Sequence, residues 1–261
     1  MTTPASRSLI VFCLHYLGGS GREFVRLGEE LGPIFRLIPI DLAGFGGAHA
    51  SPGYSVAEMT QSVAAAIRAT GAVRWWLLGH SMGAKVATAL TSQIERGTLA
   101  LPGLASLVLL AGSPPSPEPM DDDKRDTMLQ WFHGDAHASQ SEGNRYIDQN
   151  VSRLLAAPLH TQALKDLERM NRDAWTAWLT SGSREDWSER VGRLRTRALL
   201  VAGADDTGLG AEAQRKYMVP HFLKPTLQII DKSAHLLPLE APAEVARLMT
   251  AHEAGLREQT P

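Results

Sequence analysis

The stretch Arg74-Trp75-Trp76-Leu77-Leu78-Gly79-His80-Ser81-Met82-Gly83-Ala84 decides the fold. Its first half is a short apolar run that does not alternate with polar residues, which is how a strand buried on both faces reads. From Met82 to about Arg96 the pattern is helical. Between the two, Gly79-His80-Ser81-Met82-Gly83 spells G-x-S-x-G in the strand–turn–helix setting that gives the motif its mechanics. The tip of so sharp a turn has a strained backbone, and the positions two residues to either side are too crowded for a side chain. Gly79 and Gly83 fit those positions. The turn pushes Ser81 Oγ into open space and leaves the Met82 N–H at a helix N-terminus, facing whatever the serine attacks.

Similar apolar runs recur along the chain: LIVFCL (9–14), FRLIPI (35–40), LASLVLL (104–110), RALLVAG (197–203) and TLQII (226–230). Helical patterns lie between them. Ser55-Val56-Ala57-Glu58 is a capping box opening a helix to about Thr70, and Pro242 suits the first position of a helix to about His252. Strands alternating with helices predict a doubly wound α/β sheet of about six strands. Residues 113–189 break the alternation. They open on the stiff run Ser113-Pro114-Pro115-Ser116-Pro117 and continue as amphipathic helices carrying Trp131, Trp175, Trp178 and Trp187. The expectation is a core of residues 1–112 and 190–261 with a helical lid, 113–189, inserted in it. For most of these tryptophans, packing of lid on core is the simpler reading.

Composition narrows the function. With 26 basic and 28 acidic residues the net charge is −2, so neither nucleic acid nor an anionic membrane surface has an electrostatic footprint to bind. Cys13 is the one cysteine, which excludes an internal disulfide and a multi-cysteine zinc site. No apolar run approaches ~18 residues, and Leu9–Leu14 is too short for a secretory leader, so the reading is a cytoplasmic protein without a membrane segment. His133 and His137 have helical i, i+4 spacing, but Gly134 stands where metal proteases place glutamate, so no metal is expected. Lys85 lies four residues after Ser81, not three, so it does not complete an S-x-x-K pair. No cofactor is implied, and the oligomeric state is not legible.

A serine hydroxyl needs a base. Of the nine histidines, only His235 follows the last strand and precedes the last helix. A histidine base in turn needs an acid to fix its tautomer. RALLVAG ends in Ala204-Asp205-Asp206, so both aspartates stand at a strand C-terminus.

With these residues in place the chain resembles the α/β-hydrolase superfamily, from Leu9 to about His252. The resemblance implies Ser81, Asp206 and His235 as the triad, with Asp206 at the fourth position of a G-x-x-D segment and Asp205 the neighbouring alternative. His15-Tyr16-Leu17-Gly18-Gly19 is similar to the family's H-G-x-x-G loop, which assigns the oxyanion donors to the N–H groups of Leu17 and Met82. Tyr16 replaces the usual glycine near the oxyanion hole and lines the pocket, donates a further hydrogen bond there, or packs on the core. Only eight residues precede the first strand, so the superfamily's N-terminal strand pair has no room and all strands should be parallel. Tyr16, Trp131, Trp175 and Trp178 are the candidate substrate contacts; Trp175 and Trp178, three apart, should share one helix face. A serine nucleophile argues against dehalogenase and epoxide hydrolase chemistry, which this superfamily runs through aspartate. The expected reaction is hydrolysis of a small, largely apolar carboxylic ester or lactone through an acyl-enzyme. Hydrolytic C–C cleavage of vinylogous diketones, and ligand binding with slow turnover, are the alternatives.

Overall fold

Each apolar run of the sequence forms a strand: β1 (Leu9–Leu14), β2 (Phe35–Ile40), β3 (Trp75–His80), β4 (Leu104–Leu110), β5 (Ala198–Gly203) and β6 (Pro225–Ile230). The structure is a computed structural model that describes residues 8–134 and 136–258. All neighbouring strands pair in parallel, in the order β2-β1-β3-β4-β5-β6. β1 feeds β2 on one side, whereas β3 returns to the other. The order therefore reverses between β1 and β3, and the crevice at the carboxyl ends of those two strands is where open α/β sheets place ligands. The loops starting at His15 and Ser81 leave from there. Pro39 lies on the edge strand β2, where a missing N–H is tolerated and the edge is blunted.

The helices are α1 (Val25–Leu31), α2 (Val56–Ala69), α3 (Met82–Glu95), α4 (Asp122–Leu129), α5 (Ala136–Gln149), α6 (Ala157–Arg169), α7 (Arg172–Thr180), α8 (Ser188–Val191), α9 (Ala211–Ala213), α10 (Leu237–Glu240) and α11 (Pro242–Arg257). Successive residues of a central strand are buried against different layers. Trp75, Leu77 and Leu107 pack with α2 and α3, while Trp76, Leu78 and Val108 pack with α1 and α11. That is why the strand runs show no polar alternation. The capping box of α2 forms, with Ser55 Oγ accepting the Glu58 N–H and Glu58 accepting the Ser55 N–H. α11 continues past His252 to Arg257, and Arg257 pairs with Glu253 one turn back at 2.8 Å.

α4 to α8 lie between β4 and β5. Lys85 on α3 joins the two ends of this helical segment. Its ammonium donates to the carbonyls of Ser116 and Ser183, both at 3.2 Å, and burial pushes its pKa down to about 8. Among the described residues, no helix is long and apolar enough to cross a membrane. The leader reading of the first residues, and Asp135 between His133 and His137, fall outside the described residues.

Candidate active site

β3 ends in a turn so tight that Ser81 takes φ 51° and ψ −117°, a left-handed conformation that costs a non-glycine residue on the order of 1–3 kcal/mol. The flanking glycines are sterically required. A Cβ on Gly79 would lie 2.6 Å from Ala84 Cα, and one on Gly83 would lie 2.3 Å from the Leu14 carbonyl oxygen. Main-chain bonds hold the turn, with Ser81 N–H donating to Leu110 O and Ser81 O accepting from Ser113 N–H.

Ser81 Oγ lies 2.8 Å from His235 Nε2, and His235 Nδ1 lies 2.8 Å from Asp206 Oδ2. A carboxylate only accepts, so Nδ1 carries the hydrogen and Nε2 presents its lone pair to the serine hydroxyl. Asp206 Oδ1 accepts the N–H groups of Gly208 and Leu209, each at 2.9 Å. Burial alone would push the Asp206 carboxyl up. The His235 ring and the two N–H donors outweigh it and bring its pKa down to about 2. For His235, burial favours the neutral ring, yet the Asp206 charge and hydrogen bond raise it above an ordinary imidazole; Glu118 adds to this and Lys124 opposes it. Asp205, the neighbouring alternative, points elsewhere: its Oδ2 accepts the Ser152 hydroxyl at 2.5 Å.

Among the described residues, neither the Leu17 N–H nor the Met82 N–H meets an acceptor. The Tyr16–Leu17 peptide is oriented from behind. Its carbonyl accepts His15 Nδ1–H at 2.7 Å and the Gly19 N–H at 3.1 Å, and in a trans peptide the N–H points the opposite way. His15 Nε2 accepts the Leu42 N–H, and burial lowers the pKa of this ring and favours its neutral form. The Gly83 N–H donates to His15 O at 3.2 Å, which ties this loop to the start of α3.

A cavity of about 280 Å³ opens onto Ser81 and His235. Leu17, Trp131, Tyr146 and Trp178 form part of its wall. Among the described residues, Glu118, Asp121, Asp205 and Asp206 border it together with Lys124 and His235, the last of which partners Asp206, so acids outnumber bases in the lining.

A model of the Alpha/beta hydrolase family matches residues 10–248. The chain belongs to this family. Among known proteins it is 28% identical over 248 residues to the 2-succinyl-6-hydroxy-2,4-cyclohexadiene-1-carboxylate synthase of Salmonella newport (strain SL254), covering 93% of this chain and 92% of that protein. Among solved structures, the esterase EaEST from Exiguobacterium antarcticum superposes with a TM-score of 0.80 at 17% identity, over 94% of this chain and 91% of that one. MenH from S. aureus superposes with a TM-score of 0.72 at 14% identity, over 98% and 97%. At these identities the structural likeness is one of fold.

In this α/β-hydrolase the aromatic candidates divide. Trp131 and Trp178 border the cavity; Tyr16 and Trp175 do not. The Tyr16 ring is buried under its own loop, 5.4 Å from the His80 ring and filling the space a Gly19 side chain would need. Trp175 donates its indole N–H to Met128 O at 2.9 Å and stands edge-on to Phe132 and Tyr146. Residues three apart on a helix are offset by about 60° around its axis, enough for one ring to reach the cavity while the other wedges between helices. Sequence reading missed Tyr146 and Asn150. Tyr146 borders the cavity and donates to Leu17 O at 3.0 Å, and the Asn150 carbonyl accepts the N–H groups of His235 and Leu236. Both belong to the helical segment, and no local pattern marks residues whose partners are over eighty positions away.

Proposed function

We propose that this α/β-hydrolase cleaves small, uncharged, largely apolar carboxylic esters or lactones through an acyl-enzyme on Ser81. The observation that carries the reading is the unbroken Ser81–His235–Asp206 hydrogen-bond chain beside two unengaged N–H groups. The Ser81 hydroxyl attacks the acyl carbon while its proton passes to His235 Nε2. The resulting imidazolium is stabilised by Asp206. Negative charge gathers on the former carbonyl oxygen, and the Leu17 and Met82 N–H groups receive it. Such donors are typically worth about 2.7–4 kcal/mol each in the barrier. His235 returns the proton to the leaving alkoxide, the C–O bond breaks, and Ser81 keeps the acyl group. Water then repeats the sequence and frees the acid.

The helices between β4 and β5 act as a lid. They supply Trp131, Tyr146 and Trp178 to the cavity wall, so they shape the acyl or alcohol group while the core runs the chemistry.

A second reading has a specific observation behind it, the 28% identity to a protein named as a synthase of a succinyl-bearing carboxylate. The cavity charge opposes it. A ligand carrying two carboxylates would face several acids and one lysine, and like charges a few ångströms apart repel by ~1–4 kcal/mol at effective dielectrics between those of water and a protein surface. Hydrolysis of p-nitrophenyl acetate, butyrate and octanoate and of γ- and δ-lactones tests the choice. Enzyme-dependent turnover that disappears in Ser81→Ala supports the esterase reading. Inertness toward every ester and lactone, with 2-succinyl-6-hydroxy-2,4-cyclohexadiene-1-carboxylate synthase activity instead, overturns it.

A further inference from the structure

His80 lies between Gly79 and Ser81, yet its side chain turns away from the cavity and is fully buried. Its Nε2 is 2.8 Å from the main-chain carbonyl oxygen of His235. Its Nδ1 is 3.1 Å from both carboxyl oxygens of Glu23, a side chain only 2% exposed. A carbonyl oxygen only accepts, so Nε2 carries a hydrogen. Nδ1 then meets a carboxyl group that either accepts a second imidazole hydrogen or donates its own. In both cases one proton lies between Glu23 and His80, and the Nε2–H stays fixed on His235. Without Glu23, a neutral imidazole could place its one hydrogen on either nitrogen.

The position of this pair gives it reach. Glu23 sits in the helical turn Gly21–Phe24, directly after the loop that carries Leu17. His80 belongs to the nucleophile turn, and His235 to the loop after β6. Three loops that must hold a sub-ångström geometry thus meet at one imidazole. The His235 peptide is held on both sides, because its N–H donates to Asn150 O at 3.1 Å while its C=O accepts from His80.

We propose that His80, with its Nδ1 proton-linked to Glu23, is a positioning residue for the base: it grips the His235 carbonyl and thereby sets His235 Nε2 at hydrogen-bonding distance from Ser81 Oγ. The proposal rests on the serine-hydrolase reading above. A merely structural pair would satisfy buried polar atoms and affect stability alone. A positioning pair affects the chemical step, where a displacement of about 1 Å can cost on the order of a hundredfold.

The test compares His80→Leu, His80→Gln, Glu23→Leu and Glu23→Gln in p-nitrophenyl butyrate hydrolysis. Phosphonylation of Ser81 by a fluorophosphonate and thermal melting are measured on the same proteins. His80→Leu, folded, should lose about thirty- to a hundredfold in kcat with KM nearly unchanged, and phosphonylation should slow in parallel. His80→Gln restores a donor to the His235 carbonyl and should recover most of that loss. Glu23→Gln, whose amide can donate to a neutral Nδ1, should stay well above Glu23→Leu. If His80→Leu does not fold, the Glu23 pair carries the comparison. The proposal is overturned if folded His80→Leu keeps wild-type kcat, if leucine and glutamine at position 80 are equally impaired, or if the two Glu23 variants match. A wild-type protein that neither hydrolyses the ester nor reacts with the fluorophosphonate would instead remove the serine-hydrolase reading itself.

Discussion

The Tyr146 hydroxyl donates a 3.0 Å hydrogen bond to the Leu17 carbonyl, joining α5 to the loop whose next N–H upstream is free for an oxyanion. In the proposed mechanism this bond makes the helical segment a support of the oxyanion loop as well as a lid. Removing a neutral hydrogen bond costs about 0.5–1.5 kcal/mol, so Tyr146→Phe should lower kcat roughly three- to tenfold. Steady-state kinetics on an acetate ester, whose small acyl group barely touches the wall, checks this. An unchanged kcat would show that the bond does not orient the loop.

Replacing Asp206 by Asn lets the amide hold the wrong tautomer of His235, and kcat should fall by up to ~10⁴. Asp205→Asn removes a charge that borders the cavity and accepts from Ser152 but does not touch His235, and should cost a few-fold at most. Parallel kcat measurements on the two variants separate them. A larger effect at Asp205 would contradict the pairing seen between Asp206 and His235.

The pH profile follows from the raised pKa of His235. The base works only when neutral, so kcat/KM must fall as pH drops through that pKa. Because Asp206 raises it above the ordinary imidazole value, the acidic limb should lie above about 6.5. In Asp206→Asn the residual activity should show the limb at lower pH. A wild-type limb well below 6, with chemistry limiting, would contradict an Asp206-coupled base.

Trp178 and Trp175 should respond differently to truncation. Trp178→Ala enlarges the cavity and should shift the preferred p-nitrophenyl ester toward longer acyl chains. Trp175→Ala removes a buried ring and strands the Met128 carbonyl, costing about 3–5 kcal/mol of stability with the acyl preference kept. Melting temperature and chain-length selectivity on both variants decide it. The same change of selectivity in both would contradict the division seen in the structure.

What was legible in the sequence follows from how local each signal is. The six strands read as apolar runs because both faces of a parallel sheet are covered. The Ser81 turn read as a motif because Gly79 and Gly83 answer steric demands a few residues away. The order of strand ends separated His235 from the other histidines and narrowed the acid to a pair. The family's G-x-x-D segment favoured Asp206 over Asp205, and the direction of each side chain, which a common strand end does not reveal, puts Asp206 on His235 and Asp205 on Ser152. Tyr16 and Trp175 were candidate substrate contacts because large aromatic residues near a site fill either a pocket or a core. Ring direction decides between these, and it is set by distant neighbours such as His80 and Met128. The roles of Tyr146, Asn150 and Glu23 rest on partners over fifty residues away, so no spacing rule reaches them.

The proposed reaction passes through an acyl-enzyme on Ser81. Rapid acid quenching after mixing with p-nitrophenyl butyrate, followed by peptide mass spectrometry, tests it directly. A butyryl group is expected on the peptide containing Ser81, formed within the burst of p-nitrophenol and absent from Ser81→Ala. Full turnover by a Ser81→Ala protein, or a butyryl group found on another residue of the active wild-type enzyme, would contradict it.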